Sequence, residues 1–204
     1  MIPAGLYLVT PDSDDTERLV SLSRAAILGG ARVLQYRHKT ASSTLKTQQA
    51  QALRALTRAL DVFFIVNDSL ALALDVEADG LHIGRDDGEL AALRAASGGR
   101  LAMGVSCYGD FGRAQAAHAA GADYVAFGAM YASPTKPHAP LAPVALISRA
   151  KQELGARVAC IGGITAANAA PLVEAGADWV AVITDIYQSA DPQAQATKIA
   201  TLYP

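Results

Sequence analysis

Short apolar segments rich in β-branched and aromatic residues alternate along the chain with Ala- and Leu-rich segments of helical length. This alternation is typical of βα units that build a parallel sheet. The pattern predicts eight strands: GLYLVT (5–10), RVLQYR (32–37), FFIVN (63–67), GLHIG (80–84), LAMGVS (101–106), YVAFG (124–128), VACIGG (158–163) and WVAVIT (179–184).

A weak internal repeat supports this division, since AGADYVAFG and AGADWVAVI both run from a small-residue segment directly into a strand. Eight such units in register favour a closed barrel over a doubly wound sheet, because the chain has neither a GxGxxG fingerprint nor a sign of strand-order reversal. We therefore predict the α/β class, with one (β/α)8 TIM barrel domain over residues 1–204.

Composition narrows the choice of partner more than the choice of fold. With 51% hydrophobic residues, 18% charged residues, a net charge of -2 and no basic runs, the chain predicts neither nucleic acid nor a membrane as partner. Small-molecule substrates fit better, and a homo-oligomer is compatible with the sequence. The start of the chain lacks the basic region of a signal peptide, and Cys107 and Cys160 form no CxxC pair, so we expect a cytoplasmic protein with free thiols.

Candidate chemistry begins at the end of the second strand, in the segment QYRHK (35–39). The strand period of two places Gln35, Arg37 and Lys39 on one face, with Tyr36 and His38 on the other. In barrels the active site lies at the C-terminal ends of the strands. Two cations on one face at this place favour a bound phosphate over an ordinary solvated strand exit.

Carboxylates follow the next two strands, where Asn67 and Asp68 end strand three and Arg85, Asp86 and Asp87 follow strand four. Asp68 and Asp87 fit the preference of Mg²⁺ for one or two carboxylates combined with phosphate oxygens. Acidic residues at these positions also serve as helix N-caps, so both interpretations stay open.

A single hydroxyl residue, Ser106, ends strand five. It is a candidate hydrogen-bonding group for a substrate, although a turn residue that caps the next helix has the same appearance.

A long loop follows strand six, at about residues 129–143, with proline at positions 134, 137, 140 and 143. We interpret it as a stiffened lid whose Ser133, Thr135 and Lys136 bind phosphate on closure, the alternative being an ordinary solvated connection.

Strands seven and eight indicate a second phosphate site. Gly162 and Gly163 permit close backbone approach, and the segment from Thr165 to Asn168 is expected to offer free N–H groups at a helix start. Ile183 and Thr184 end strand eight, and phosphate binding after strands seven and eight recurs in barrels. His82 and the two cysteines receive no role, since such residues more often pack than react.

Together these motifs resemble the thiamine phosphate synthase family over almost the whole chain. QYRHK is similar to the family's Q-aromatic-R-x-K, VND to its VND, HIGRDD to its HIGQxD, GVSCY to its GVS segment and YASPTKP to its YPTxTK loop, while IGGIT is shared. The resemblance implies Mg²⁺-dependent coupling of hydroxymethylpyrimidine diphosphate with hydroxyethylthiazole phosphate, which gives thiamine phosphate and pyrophosphate.

The resemblance also implies roles for particular residues. The segment 35–39, including Tyr36 and His38, would bind substrate, with Gln35 and Asn67 on the pyrimidine diphosphate and Ser106 near the pyrimidine. Arg37, Lys39 and Lys136 would act on its phosphates, with Mg²⁺ between Asp68 and Asp87. These three residues and Ser106 would be the catalytic residues. The thiazole phosphate would lie against Ser133, Pro134, Thr135, Gly163, Ile183 and Thr184.

The chain departs from the family pattern at several positions. Arg85 replaces a usual Gln, Tyr108 a frequent His, residues 142–144 a common Gly, and Asp185 a small residue, which adds a charge beside the predicted thiazole phosphate site. Two rival functions fit the same barrel: the related isomerase that aromatises the thiazole phosphate, and a non-catalytic barrel that binds thiamine precursors for regulation. The retained Asn67, Asp68 and Asp87 favour the synthase.

Overall fold

The chain folds as a closed barrel of parallel strands, seen in a computed structural model that describes residues 2–132 and 140–204. Each strand pairs with the next in the sequence, and the last pairs with the first. The eight strands of these described ranges are β1 Gly5–Val9, β2 Val33–Tyr36, β3 Phe63–Asn67, β4 Gly80–Ile83, β5 Ala102–Tyr108, β6 Tyr124–Gly128, β7 Val158–Ile161 and β8 Trp179–Val182.

Helices follow the strands and surround the barrel. Within the described ranges they are α1 Thr16–Leu28, α2 Ser43–Ala59, α3 Leu70–Asp75, α4 Leu90–Ala96, α5 Phe111–Ala119, α6 Ala145–Arg149, α7 Ala170–Glu174, α8 Thr184–Tyr187 and α9 Pro192–Ala200, and α6 continues as a π-helical turn over Ala150–Leu154. No helix among them combines the length and the apolar character needed to cross a membrane.

Several helix starts are set by short polar side chains in the local sequence. Asp15, Ser42, Ser69, Asp110 and Asp191 each accept a hydrogen bond from the backbone N–H three residues further on. This satisfies a donor that the first helical turn otherwise leaves unpaired.

The predicted fold class is confirmed, while some strand ends differ from prediction. β5 runs on to Tyr108, two residues beyond its expected end, with an irregular pairing to β6 after Ser106. β7 and β8 each stop two residues early. Gly162 and Gly163 have φ values of 104° and 65°, which are outside the strand region, and Thr184 already begins α8.

Alternation along the strands separates two apolar layers. Outward-facing side chains pack against the helices, and inward-facing ones, among them Tyr7, Ile65, Tyr124 and Trp179, form an interior core inside the barrel. The Tyr124 ring crosses this interior over Gly104, where a Cβ atom would lie 2.0 Å from the tyrosine Cζ. The polar tip of Tyr124 is thereby held in the middle of the barrel.

Candidate active site

The cations predicted at the end of β2 lie among carboxylates from the neighbouring strands. Arg37 Nη1 donates to Asp12 Oδ1 at 3.3 Å, and the backbone N–H of Lys39 donates to the same oxygen at 3.1 Å. The Lys39 ammonium forms an ion pair with Asp68. The side chains of Arg37 and Lys39 are 27% and 50% exposed, so both are accessible to a ligand. Asp12 was missed by the sequence argument because it lies in the connection after β1.

Tyr36 and His38 do not share the face of the triplet. The Tyr36 hydroxyl donates to Gln49 Oε1 of α2 at 3.0 Å, within the layer between strands and helices. His38 Nδ1 accepts from the Ala41 N–H at 3.1 Å, and its Nε2 lies 3.4 Å from Asp14. Tyr36 faces the helix layer, as the strand period indicates, and His38 lies beyond the end of β2. Their role in substrate binding stays a prediction.

The two carboxylates proposed for the metal lie at the ends of adjacent strands. Asp68 has a left-handed backbone with φ of 63°, and its N–H donates to the His82 carbonyl of β4 at 2.9 Å. Asp87 Oδ2 accepts from the Gly84 N–H at 2.6 Å. A Cβ at Gly84 would lie 3.0 Å from that oxygen, so the glycine leaves room for the carboxylate.

The alternative role of these acids as helix caps does not hold. Ser69 is the cap of α3, where it accepts from the Leu72 N–H, and Glu89 occupies the cap position of α4. Across residues 2–132 and 140–204, no group of three or more His, Cys, Asp or Glu side chains is placed to hold a metal ion. Two carboxylates are the protein donor set that suits Mg²⁺, whose other ligands are waters and substrate phosphates.

A buried chain of hydrogen bonds crosses the barrel interior and connects two predicted site residues. Gln35 Nε2 donates to the Tyr7 hydroxyl at 2.9 Å, and the Tyr7 and Tyr124 hydroxyls are 2.9 Å apart. Tyr124 contacts His82 Nδ1 at 2.9 Å, and His82 Nε2 contacts Ser106 Oγ at 2.8 Å. We call these five residues the interior relay.

His82, Tyr7 and Tyr124 were missed by the sequence argument, which gave His82 no role. Burial lowers the pKa of His82 to about 4, with Lys39 also lowering it and Asp87 opposing the shift. Its imidazole is therefore neutral near neutral pH. The signal that could have found it is the strand period, which puts Tyr7, His82 and Tyr124 on the inward faces of their strands.

Ser106 is held in place from outside the barrel by Arg113 of α5. Arg113 Nε donates to the Ser106 carbonyl at 2.7 Å, and Nη2 donates to the Gly84 carbonyl at 3.1 Å. The N-cap of α5 is Asp110, so Ser106 does not serve as a helix cap. The Tyr108 ring lies against Arg113 and Arg85, with their guanidinium carbons 5.8 Å and 5.2 Å from its centroid.

The ends of β7 and β8 differ from the predicted anion cradle. The Thr165 N–H donates to Asn168 Oδ1 at 2.7 Å, and the Ala166 N–H donates to Asp185 Oδ2 at 2.9 Å. The prediction that this segment offers free N–H groups is therefore wrong at these two residues. Side chains from the same loop and from α8 have taken the donors, and α7 begins only at Ala170.

Gly163, just after β7, is closely approached by the backbone of a neighbouring segment. A Cβ at its φ of 65° would lie 2.6 Å from the Tyr131 carbonyl oxygen. Ile183 is half-buried and Thr184 exposed at the end of the adjacent strand β8. The three predicted thiazole-side residues that the structure describes thus lie on neighbouring strand ends.

Residues 133–139 of the predicted lid, which include Ser133, Pro134, Thr135 and Lys136, lie outside the described residues. Its two flanks are fixed to each other, since the Ala142 N–H donates to the Ala129 carbonyl at 2.8 Å. Met130 and Tyr131 donate to the carbonyls of Ile161 and Gly162 at 3.0 Å and 2.9 Å. The loop therefore begins and ends at the exit of β7, beside Gly163.

These features share the C-terminal end of the barrel: two accessible cations, two carboxylates on adjacent strands, and close backbone approach at β7. Such features are typical of the class of (β/α)8 enzymes that act on phosphorylated small molecules. The family model described as thiamine monophosphate synthase matches residues 6–186, and the chain belongs to this family. The resemblance drawn from the strand-end motifs is confirmed, and with it the prediction of a transferase of the thiamine phosphate synthase family.

Full-length relatives agree with this membership. The chain is 50% identical to the thiamine-phosphate synthase of Bordetella bronchiseptica over 207 residues, which cover 98% of this chain and 95% of that protein. It is also 50% identical to the thiamine-phosphate synthase of Aromatoleum aromaticum, with 98% and 96% covered. The solved structure of thiamine phosphate pyrophosphorylase from Pyrococcus furiosus superimposes with a TM-score of 0.87 at 28% identity, covering 98% of this chain and 95% of that one.

Proposed function

We propose that the protein transfers the hydroxymethylpyrimidine group from its diphosphate to the ring nitrogen of hydroxyethylthiazole phosphate, with Mg²⁺, giving thiamine phosphate and pyrophosphate. The observation that carries the proposal is the arrangement of Arg37, Lys39, Asp68 and Asp87 on three consecutive strand ends in a member of this family. Cations and carboxylates in one place suit a diphosphate bound together with a metal.

The diphosphate would lie over the exits of β2, β3 and β4. Arg37 and Lys39 would bind its oxygens, with Lys39 exchanging its ion pair with Asp68 for a phosphate. Asp68 and Asp87 would hold Mg²⁺, which when bound neutralises charge on the diphosphate. Asp12, which accepts from Arg37 and from the Lys39 N–H, would keep both cations aimed at the same ligand.

Carbon–oxygen bond cleavage would leave a pyrimidine-methyl cation stabilised by the ring amino group, and the thiazole nitrogen would then capture that cation. No protein nucleophile is needed, so catalysis consists of charge neutralisation and positioning. Gln35, Asn67 and Ser106 would orient the pyrimidine, and their strands place all three at the barrel mouth.

The thiazole phosphate would bind at the exits of β7 and β8, against Gly163, Ile183 and Thr184. Ser133, Pro134 and Thr135 would complete this site from the lid, and Lys136 would close over the diphosphate. The carboxylate of Asp185 is hydrogen-bonded at this place. Its Oδ2 accepts from Ala166 N at 2.9 Å and from Gln195 Nε2 at 2.8 Å. These hydrogen bonds offset part of the added charge, and they also occupy the Ala166 N–H that was predicted to bind phosphate.

The test is to incubate the protein with Mg²⁺ and both substrates and to measure thiamine phosphate after oxidation to its fluorescent derivative. We expect metal-dependent product, and turnover that falls at least about 100-fold in Arg37→Ala, a loss typical of a removed electrostatic group. Arg32→Ala is the matched control, because Arg32 precedes the same strand at its other end and is exposed. Arg37→Ala should loosen thiazole phosphate binding much less than it lowers turnover, and the same holds for Lys136→Ala.

The outcomes also separate the rivals. Ligand binding without turnover would identify a regulatory barrel, and conversion of the thiazole phosphate alone would identify the aromatising isomerase. Either result, or equal turnover in wild type and Arg37→Ala, would contradict the proposal.

A further inference from the structure

Resting on the function proposed above, we propose that the interior relay has one hydrogen-bond direction, set by the Gln35 amide and passed through Tyr7 and Tyr124 to His82. It places Gln35 and Ser106 so that Gln35 offers an acceptor and Ser106 a donor to the substrate. The aminopyrimidine of the proposed function matches this pair, since its amino group donates and its ring nitrogen accepts. Tyr7, Tyr124 and His82 are positioning residues that act through these two side chains.

The direction follows from counting protons along the relay. The bond between Gln35 and Tyr7 contains a proton of Gln35, because an amide nitrogen only donates. The Tyr7 hydroxyl proton must then lie toward Tyr124, its other partner at 2.9 Å. The proton of Tyr124 is consequently directed to His82 Nδ1.

A neutral imidazole has one N–H, so acceptance at Nδ1 places that proton on Nε2. His82 Nε2–H then donates to Ser106 Oγ. The proton of Ser106 is left outside the relay, free for an acceptor in the pocket. Because a protonated imidazole cannot accept a hydrogen bond, this arrangement contains a neutral His82 between Tyr124 and Ser106.

Reversing only part of the relay is unfavourable. If Tyr124 donated to Tyr7 instead, the Tyr7 hydroxyl would accept twice and its own proton would have no partner. Tyr7 is 3% exposed, so this donor would be buried and unpaired. A buried, unpaired hydroxyl disfavours the partly reversed relay by about tenfold or more relative to the fully paired one.

Complete reversal requires the Gln35 amide to present its oxygen to Tyr7. All the relay bonds would then be satisfied with His82 protonated on Nδ1, and the pocket would see an N–H at Gln35 and a lone pair at Ser106. That arrangement would suit an oxopyrimidine with a ring N–H. The orientation with Gln35 Nε2 on Tyr7 is the one that matches the amino form of the proposed substrate.

The packing around Tyr124 makes it a rigid centre for this relay. Tyr124 is 1% exposed, its ring stacks on His82 with centroids 5.6 Å apart, and Trp179 covers it at 5.3 Å. Gly104 supplies the space for the ring. A side chain so enclosed loses little entropy when it holds its hydrogen-bond partners in one geometry.

The first experiment is NMR on the full chain labelled with ¹⁵N-histidine, in which long-range proton–nitrogen correlations report the tautomer. The His82 signal, identified by its loss in His82→Gln, should show a protonated Nε2 and a bare Nδ1. Tyr7→Phe should keep this tautomer, because Tyr124 still donates to His82. Tyr124→Phe should lose it. A protonated Nδ1 in the wild type would overturn the proposal.

The second experiment measures inhibition constants for two unreactive monophosphates, one with an amino group and one with an oxo group on the pyrimidine ring. The wild type should favour the amino compound by at least about 100-fold, since a site built to pair polar groups rejects the mismatched analogue. Tyr124→Phe should reduce this preference by about tenfold or more. Equal binding of both compounds to the wild type would overturn the proposal.

Tyr187→Phe is the matched control, because it removes a buried tyrosine hydroxyl that bonds Ser23 at 2.8 Å in the helix layer. It should leave the preference within about twofold of wild type, as expected for a site outside the relay. If Tyr124→Phe does not fold, the His82 tautomer measured in the wild type and in Tyr7→Phe tests the direction of the relay. The NMR measurement of the His82 tautomer requires no turnover. Absence of synthase activity would therefore refute the proposed function, while the direction of the relay is tested by the NMR result alone.

Discussion

Arg113 donates from Nε to the backbone carbonyl of Ser106 at 2.7 Å. The same guanidinium reaches the Gly84 carbonyl at 3.1 Å, so one side chain of α5 ties the exits of β4 and β5 together. Those two exits present Asp87 and Ser106, both of which we propose to act on the pyrimidine diphosphate. The spacing of these groups depends on a residue that has no place in the site itself.

Arg113→Lys should therefore lower kcat/KM for the pyrimidine diphosphate by about tenfold, because a lysine ammonium does not reproduce a rigid two-carbonyl contact. Steady-state kinetics with each substrate varied in turn measures this change. The control is Arg58→Lys, which alters an exposed ion pair with Glu77 of the kind that contributes little. Unchanged kinetics in Arg113→Lys would show that the strand exits hold their spacing without it.

The paired carboxylates predict a specific response to metal. Asp68→Asn and Asp87→Asn should each raise the Mg²⁺ concentration for half-maximal rate by about tenfold or more, since each removes one of two anionic ligands. Asn at position 87 can still accept from the Gly84 N–H, so the loop should keep its shape. Asp86→Asn is the control, because Asp86 is the exposed neighbour. A Mg²⁺ titration that is the same for all three variants would remove both residues from the metal site.

Gly163 and Gly155 offer a matched pair for testing backbone approach at the thiazole side. Their φ values are 65° and 64°, but a Cβ at Gly155 meets nothing within 4 Å, whereas one at Gly163 meets the Tyr131 carbonyl. Gly155→Ala should cost about 1 kcal/mol in the free energy of unfolding, from the left-handed conformation alone. Gly163→Ala should cost more and should also raise KM for the thiazole phosphate. Urea unfolding and kinetics measure the two effects, and equal behaviour of both variants would contradict the expectation.

Asp185 is a test of whether an added charge harms phosphate binding. Because its carboxylate holds Ala166 N and Gln195 Nε2, Asp185→Ala should unpair two donors, lower the free energy of unfolding by about 1–3 kcal/mol and raise KM for the thiazole phosphate. Asp185→Asn keeps an acceptor oxygen and should recover most of the stability. A lower KM in both variants would mean that repulsion by the charge outweighs its hydrogen bonds.

The fold followed from the sequence because it depends on local patterns. Each strand is four to seven residues long, and most were located to within a residue or two at each end. The ends that differ by two residues are those of β5, β7 and β8. β7 stops at the turn formed by Gly162 and Gly163, β8 stops just before α8 begins, and β5 continues past Ser106 through an irregular pairing with β6.

Contacts between distant residues could not be obtained in this way. His82 had no visible partner because Tyr124 lies 42 residues and Ser106 24 residues further along the chain. The Ala166 N–H seemed available because its acceptor, Asp185, follows 19 residues later. For Tyr36, in contrast, the strand period was sufficient. It predicted that the side chain faces away from Gln35, and the structure places Tyr36 against Gln49 of α2.

The close approach of Tyr124 to Gly104 constrains how this barrel can change over evolutionary time. Any side chain at position 104 collides with the ring, and a smaller residue at position 124 leaves a void and a broken relay. Neither position can therefore drift by itself without a loss of fitness. A change at position 104 would need a compensating change at position 124 in the same lineage, and the reverse also holds. The two positions together therefore mark where related barrels lost the interior relay.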